Sequence, residues 1–178
     1  MIVLGVDPGT RHTGYGVVEI VGQKERILDY GAIDLPPKMA HPLRLKVIYE
    51  RLTEVIGATL PDECAVEMPV YGQNAQAMLK LGRAQAAVML AAMHRELPVT
   101  QYTPKEVKKS VTGNGNATKQ QVWFMVKSLL ALTESRGLDA SDALAVALCH
   151  GHRVHQGPTG KFKNWKSFVE ANQDRIIE

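Results

Sequence analysis

The spacing of apolar residues divides the first part of the chain into short extended runs. Ile2–Val6 is almost wholly apolar, and Thr13–Val21 and Arg26–Leu35 follow it after short segments rich in turn-forming residues. Apolar runs of this length, bounded by turns, predict strands. Three strands joined in series by short turns predict an antiparallel meander.

Helical spacing replaces this pattern in the middle of the chain. Apolar residues recur every three or four positions, which predicts an amphipathic helix over His41–Ile56 that ends at Gly57. Two later apolar runs predict strands at Cys64–Glu67 and Val99–Tyr102, with a long helix between them over Gln73–Leu97. Helix and strand therefore alternate here, as they do in crossover units with parallel strands.

Three more helices are predicted after the last strand. Two of them open with a capping box, in which a threonine is followed three residues later by Glu or Gln. These two helices are predicted to end near Val111 and Leu132, and the last helix spans Asp139–His155. The capping boxes pair Thr103 with Glu106 and Thr118 with Gln121.

The order of these elements predicts an α/β fold with one mixed five-stranded sheet flanked by helices. The meander supplies three antiparallel strands, and right-handed crossovers add two parallel strands beside the first, which becomes central. Ligand chemistry in such sheets gathers at strand ends near the point where the strand order reverses. We expect one domain over residues 1–155 and a C-terminal tail over 156–178.

Composition excludes a membrane protein and a disulfide-stabilised one. The chain of 178 residues is 45% hydrophobic and 22% charged, and no apolar stretch is long enough to span a membrane. The N-terminus lacks the features of a signal peptide, and Cys64 and Cys149 lie in apolar surroundings without the spacing of zinc ligands. We therefore expect a cytoplasmic protein with two reduced, buried cysteines.

The distribution of charge favours a polyanionic ligand. The net charge of +3 is modest, but Lys105, Lys108, Lys109 and Lys119 fall within one short segment. Clustered lysines in a mildly basic protein are typical of a surface that binds phosphates.

The predicted helix over Gln73–Leu97 has almost no polar face. Ala, Leu, Met and Val occupy most of its positions on every side. A helix that is apolar nearly all round is buried from more than one side. In so small a domain, the second side is predicted to contact another copy of the chain; the alternative is a central helix buried within one monomer.

Four acidic residues occupy positions that one pocket can share. Asp7 ends the first strand and Glu67 the fourth, while Asp139 and Asp142, three residues apart, share one face of the last helix. Two carboxylates about 4 Å apart repel by about 4 kcal/mol at an effective dielectric constant of about 20, so such a cluster requires cations. Ligand sets made only of oxygen select hard ions such as Mg²⁺ or Mn²⁺, and two such ions support phosphodiester hydrolysis.

Each acid also has a simpler interpretation. Asp7 precedes Pro-Gly in a turn, where an aspartate often accepts a backbone hydrogen bond. Asp139 fits the N-cap of the last helix, with Asp142 at its third position. Glu67 ends an apolar strand, where an isolated carboxylate is costly, so a functional role is favoured.

These residues lie in segments that, in their order and spacing, resemble the RuvC family of bacterial Holliday-junction resolvases. The resemblance covers roughly residues 1–155 and includes GVDPGT at 5–10, LKLGRAQ at 79–85 and DASDALA at 139–145. The first motif occurs in several families of the same fold, whereas the combination is specific.

The resemblance implies an RNase H-like fold and a homodimer that resolves four-way DNA junctions by paired nicks, dependent on two Mg²⁺ ions per active site for which Mn²⁺ can substitute. It implies the branch-migration proteins RuvA and RuvB as partners, and it assigns DNA contacts to Lys108 and Lys119. The catalytic and metal-binding acids that it implies are Asp7, Glu67, Asp139 and Asp142.

The chain departs from the family pattern at one position. Val70 stands where the family usually has an aromatic residue that holds the opened junction, and Tyr71 follows it. Tyr71 is therefore a candidate DNA-binding residue, with packing on its own domain as the alternative. In the tail, Phe162, Trp165 and Phe168 have helical spacing, which favours docking on the domain over stacking on nucleic acid.

Two further groups receive structural interpretations. Trp123 and Phe124 are predicted to lie in the core. Zinc-binding residue types recur near the end of the last helix, but helix C-termini favour histidine in any case, so no zinc site is predicted there. These residues are Cys149, His150, His152 and His155.

Three alternative functions remain open from the sequence. One is a nuclease of the same fold that acts on structured RNA, and another is a junction-binding module without catalytic activity. The third is an ATPase of the actin–hexokinase group, which uses a similar Asp-x-Gly-Thr turn. Those ATPases need two such domains, and 178 residues supply one.

Overall fold

The computed structural model describes residues 1–22, 24–69, 72, 74–133 and 137–156, with side chains up to Val154. Within that part of the chain the element order is β-β-β-α-β-α-β-α-α-α, as predicted. Val70, Tyr71 and residues 157–178 of the tail lie outside the described residues. The elements are β1 Ile2–Asp7, β2 His12–Val21, β3 Lys24–Asp34, α1 His41–Thr59, β4 Glu63–Glu67, α2 Ala75–Met93, β5 Val99–Tyr102, α3 Pro104–Thr112, α4 Lys119–Leu129 and α5 Leu138–Gln156.

The five strands form one mixed sheet in the order β3-β2-β1-β4-β5. β1 pairs antiparallel with β2 and parallel with β4, and β5 continues the parallel side. The predicted central position of the first strand is confirmed. The strand order reverses beside β1, so the C-terminal ends of β1 and β4 form the edge where a site is expected.

Helices cover both faces of the sheet, and each face has its own apolar core. Leu4 and Val66 belong to the core under α1 and α2, whereas Val3 and Ala65 belong to the core under α3, α4 and α5. Side chains alternate between the faces of a strand. Asp7 therefore projects to the same face as Val3, toward α5, and the same parity applies to both glutamates of β4.

Two glycines let α5 lie directly on the central strands. A Cβ atom at Gly5 of β1 would overlap the backbone of Ala143 and Ala147, and one at Gly14 of β2 would overlap the backbone of Asp139. Gly14 is also the partner of Asp7 in the strand register. The close packing allowed by glycine thus brings the N-terminal end of α5 beside the end of β1.

Three predicted helix ends differ from the structure. The first helix continues past Gly57 to Thr59, where Leu60 adopts the left-handed conformation with φ 46°. α2 ends at Met93 instead of Leu97, because a turn follows in which Glu96 has φ 59°. α4 ends at Leu129, three residues earlier than predicted.

The predicted burial is confirmed for the cysteines and wrong for one aromatic residue. Cys64 and Cys149 are buried and free. Trp123 packs partly against the core, but Phe124 is 70% exposed. α4 buries Val122, and a residue two positions away on a helix faces nearly the opposite side. None of the helices in the described ranges is long and apolar enough to cross a membrane.

Candidate active site

Asp7 and Glu67 lie side by side at the ends of neighbouring parallel strands. Val6 of β1 pairs with Val66 of β4, so the acids that follow them stand at the same level of the sheet. Both side chains are partly buried and face α5 by the alternation described above. The register of β1 against β4 therefore places these two acids next to each other.

The helix α5 brings Asp139 and Asp142 to the same place. Asp139 lies in the first turn of the helix, and Asp142 follows three residues later on the same face. The helix starts at Leu138, so the alternative interpretation of Asp139 as the N-cap residue is wrong. Both aspartates are partly buried.

The electrostatics of the cluster follow from burial and from the crowding of like charges. Burial, together with the nearby charge of Asp142, raises the pKa of Asp7 to about 7. Asp139 adds to this rise, whereas Lys119 opposes it. Burial is also the largest cause that raises the pKa of Glu67 to about 8, followed by the charges of Asp7 and Asp142. The structure therefore brings all four predicted acids into one cluster.

Lys119 is in direct contact with this cluster. Its Nζ lies 2.9 Å from Oδ2 of Asp142, and this hydrogen bond is the main reason why the pKa of Lys119 is raised. The capping box formed by Thr118 and Gln121 fixes the start of α4, which places Lys119 at the first position of the helix.

Lys108 approaches the cluster from α3. It is partly buried, and its positive charge lowers the pKa of Glu67, against the larger effect of burial. Both predicted basic residues therefore border the acids, on the side of the sheet covered by α3, α4 and α5. Tyr71, the third predicted DNA-binding residue, lies outside the described residues.

The simpler interpretation of Asp7 as a turn-forming residue is wrong. The turn after β1 is held by Thr13, whose Oγ1 donates to the carbonyl oxygen of Gly9 and accepts from its N–H group. In the described residues the carboxylate of Asp7 accepts no hydrogen bond, and its charge is offset mainly by Lys119.

Arg44 of α1, which no sequence motif predicts as a site residue, connects the loops around the end of β1. Its guanidinium donates to the carbonyl oxygen of Thr10 at 2.8 Å, to that of Met39 at 2.9 Å and to that of Pro37. The turn after Asp7 is thereby tied to the start of α1. Carbonyl acceptors have no sequence signature, so no motif identifies this contact.

The histidines near the end of α5 are engaged with other side chains. Nε2 of His150 lies 2.8 Å from Glu63, and its Nδ1 lies 2.9 Å from the hydroxyl of Tyr102. His152 contacts Glu25 at 2.9 Å and Ser110 at 3.2 Å. Both ring nitrogens of each of these two histidines are thus engaged in hydrogen bonds; the side chain of His155 lies outside the described residues.

Where the side chains are described, no three of His, Cys, Asp and Glu stand close enough to coordinate a single ion as they are arranged. The acids are near enough to shift one another's pKa, and the ammonium group of Lys119 contacts one of them. The cluster therefore has the donor types of a metal site, but its carboxylates are spread apart around a lysine.

The mixed sheet, with acidic residues at the ends of β1 and β4, defines the class: a nuclease with an RNase H-like fold. The family model "Crossover junction endodeoxyribonuclease RuvC" matches residues 3–150. The chain belongs to the RuvC family, and it is an endodeoxyribonuclease, an enzyme that hydrolyses phosphodiester bonds within DNA.

Relatives from bacteria align with most or all of the chain. The crossover junction endodeoxyribonuclease RuvC of Salinibacter ruber is 59% identical and is covered completely, as is this chain. The protein of the same name from Porphyromonas gingivalis is 44% identical over 98% of this chain and 96% of its own. The structure of Thermus thermophilus RuvC in complex with a Holliday junction substrate is 35% identical, with a TM-score of 0.83 over 88% of this chain and 96% of that chain.

Proposed function

We propose that this protein resolves four-way DNA junctions during recombination and repair by paired, metal-dependent hydrolysis, with Asp7, Glu67, Asp139 and Asp142 as its catalytic acids. The observation that carries the proposal is the convergence of these acids. They come from three separate elements, and burial and mutual repulsion raise the pKa of two of them to about 7 and about 8. Folding alone gains nothing from such repulsion, so a functional reason is favoured.

The residues of the cluster fit divalent cations. Their donors are all carboxylate oxygens, the ligands preferred by Mg²⁺ and Mn²⁺. Burial, and then the charges of neighbouring acids, raise the pKa of Asp7 and of Glu67, and a bound cation would offset both causes. Asp7, Glu67, Asp139 and Asp142 would hold two such ions, with Mg²⁺ as the usual metal and Mn²⁺ as a substitute. When bound, the ions supply positive charge that stabilises the transition state of phosphodiester hydrolysis.

The protein's own basic residues act on the charge of the site and on the DNA. Lys119 lowers the pKa of both Asp7 and Glu67, and Lys108 lowers that of Glu67, so the two lysines favour ionised acids at neutral pH. The same ammonium groups are suited to bind phosphate oxygens beside the scissile bond. Tyr71 is proposed to support the opened junction, in place of the family's aromatic residue three positions after the glutamate.

A homodimer is proposed through the outer face of α2. On this helix Leu79, Ala86, Leu90 and Met93 follow one another at intervals of seven, four and three, the spacing of a seam between two helices. Leu79, Leu90 and Met93 are 61%, 59% and 58% exposed although they are apolar. A second copy of the chain would bury this stripe and place two active sites on one junction.

The remaining assignments rest on family membership. RuvA and RuvB are the proposed partners in branch migration, four-way junction DNA is the proposed substrate, and the proposed location is the cytoplasm. Residues 1–155 are proposed to form the nuclease domain, with residues 156–178 as a separate tail.

The direct test uses synthetic four-way junctions in Mg²⁺ with the variant Asp7→Asn. We expect it to lose cleavage and to retain junction binding, because the change removes a carboxylate without altering Lys108 or Lys119. The matched control is Asp62→Asn, whose carboxylate lies before β4, at the other end of the sheet, and accepts from the Ile2 N–H at 2.7 Å. Cleavage by Asp7→Asn at the wild-type rate would contradict the proposal. Preference for structured RNA, or binding without any cleavage by the wild type, would favour one of the alternatives.

A further inference from the structure

The opposite face of the sheet carries a second group of basic side chains at the same end as the acids. β3 and β4 both finish at the end where Asp7 lies, so α1 and α2, which follow them, both start there. Near these starts lie His41 of α1 and Lys80 and Arg83 of α2. We call these three residues the α1–α2 basic cluster.

The cations of this cluster have no counter-charge in the described part of the chain. Lys80 and Arg83 are exposed, and neither forms an ion pair with a described carboxylate. The neighbouring Arg44 is different, since its guanidinium is engaged with three backbone carbonyl groups. Lys80 and Arg83 are therefore free to bind an anion from outside.

His41 gives an independent indication of an incomplete site. Its Nε2 atom is buried and has no hydrogen-bond partner among the described residues, although buried polar atoms are nearly always paired. Burial lowers the pKa of His41, and the charges of Arg83, Lys80 and Arg44 lower it further. The lowered pKa favours the neutral imidazole, which keeps one ring N–H that can donate to an anion.

The position of the cluster identifies the anion. Lys108 and Lys119 border the acids from the α3–α5 face, whereas this cluster lies on the α1–α2 face. A DNA strand whose scissile phosphate lies at the acids has to continue in both directions. Its backbone would meet basic residues on each side, with phosphates as the common ligand.

We propose that the α1–α2 basic cluster is a second phosphate-binding surface, which holds the DNA backbone on the face of the sheet opposite Lys108 and Lys119. The proposal rests on the proposed junction substrate. It adjoins the proposed dimer contact: Lys80 lies beside the exposed apolar stripe of α2, and Arg83 occupies the position of that stripe between Leu79 and Ala86.

The test is the salt dependence of junction binding in the absence of divalent ions. The double variant Lys80→Gln/Arg83→Gln should bind the junction about 10-fold more weakly near 0.1 M salt, and the slope of log affinity against log salt should fall by about two. The matched control is Lys24→Gln/Lys127→Gln, two exposed lysines away from the site end of the sheet. It removes the same charge and should change the slope by much less.

His41→Phe separates a hydrogen bond from simple charge. Because a neutral histidine releases no counterion, this variant should bind about threefold more weakly with an unchanged salt slope. A fall in slope as large as that of the lysine variant would mean that His41 binds as a cation, and it would contradict the proposed role of this residue.

Several outcomes overturn the inference. If the double variant had unchanged affinity and salt slope, or if the control pair changed them equally, the α1–α2 basic cluster would not be a phosphate-binding surface. The proposed function would be unaffected by that result. Loss of the dimer by the double variant in sedimentation would assign Lys80 and Arg83 to the subunit contact instead. A wild-type chain that does not bind the junction would overturn the proposed function and this inference together.

Discussion

The strand β4 starts and ends with a glutamate, and the two glutamates have opposite environments. Glu63 accepts from the buried His150 at 2.8 Å, and His150 in turn contacts the hydroxyl of Tyr102. Glu67, four residues later on the same face, lies near Asp7 and Asp142, and burial followed by the charges of these two acids raises its pKa. One end of the strand pairs its acid within the fold, and the other collects acids that repel one another.

The same helix covers both ends, so the contrast is not one of secondary structure. α5 presents Asp139 and Asp142 at its start, and His150 near its end. Histidine paired with glutamate stabilises the packing of α5 on the sheet, whereas the acids at the other end oppose it. The excess of acidic over basic groups at one end of a well-packed helix therefore marks the place where binding was favoured over stability.

The largest expected effect separates the two glutamates by activity. Glu67→Gln should reduce single-turnover junction cleavage in Mg²⁺ by about 1000-fold, because it removes a charged oxygen that we propose binds the metal. Glu63→Gln should leave cleavage within about threefold, since an amide oxygen can still accept from His150. Equal losses in the two variants would contradict the distinction between the ends of β4.

The next largest effect concerns the end of β4 where Glu63 pairs with His150. His150→Ala should lower the free energy of unfolding by about 3 kcal/mol, because it leaves a cavity and removes the partner of both Tyr102 and Glu63. Denaturant unfolding measures this change. The control His12→Ala removes a histidine that is half exposed and pairs with Asp34, so it should cost less than about 1 kcal/mol. A cost for His150→Ala no greater than that of the control would show that the buried contacts contribute little.

At the other end of β4, the substitution Glu67→Gln should stabilise the metal-free protein. The raised pKa of Glu67 means that the folded state holds a proton that the unfolded state has lost, between its ordinary pKa of 4.5 and about 8. Stability is therefore lost as the pH rises through this window. Glu67→Gln should gain about 2 kcal/mol at about pH 9 in EDTA and nothing at about pH 4. If Glu67→Gln were instead less stable than the wild type at about pH 9, the buried, repelled carboxylate of Glu67 would not destabilise the fold, and this interpretation would be contradicted.

A smaller effect links the same pKa values to the metal. Asp7 with a pKa of about 7 and Glu67 with a pKa of about 8 must lose protons before they bind cations. The Mg²⁺ concentration for half-maximal cleavage should fall by about 10-fold or more between about pH 6 and about pH 9. Asp7→Asn cannot be used in this experiment, because it is expected to lose cleavage. Asp62→Asn is the control, and its Mg²⁺ requirement should depend on pH as that of the wild type does. A Mg²⁺ requirement independent of pH would contradict the role of the two acids as ligands.

Much of this contrast follows from sequence. Strand parity and the right-handed crossover rule predict that Asp7 and Glu67 are neighbours, and helical spacing predicts that Asp139 and Asp142 share a face. The pairing of His150 with Glu63 was not predicted, because it joins residues 87 positions apart that carry no local motif. Long-range side-chain contacts depend on how α5 docks, which is decided by the close approach at Gly5 and Gly14.

The helix ends were harder to predict than the helices. Gly57 suggested an end to α1, but the helix continues until Leu60, which precedes Pro61. A residue before proline is disfavoured in the α-helical region, so the proline was the stronger signal. After the end of α2, Glu96 adopts a positive φ, a conformation that glycine or asparagine usually occupies, so the sequence carries no signal for this turn.

The most direct test of the central claim is anomalous diffraction from crystals of the full chain equilibrated with Mn²⁺. We expect Mn²⁺ bound by oxygens of Asp7 and Glu67 together with the aspartates of α5, with Lys119 displaced from Asp142. Mn²⁺ bound only at other positions, with the four carboxylates left without a cation at a concentration that supports cleavage, would contradict it.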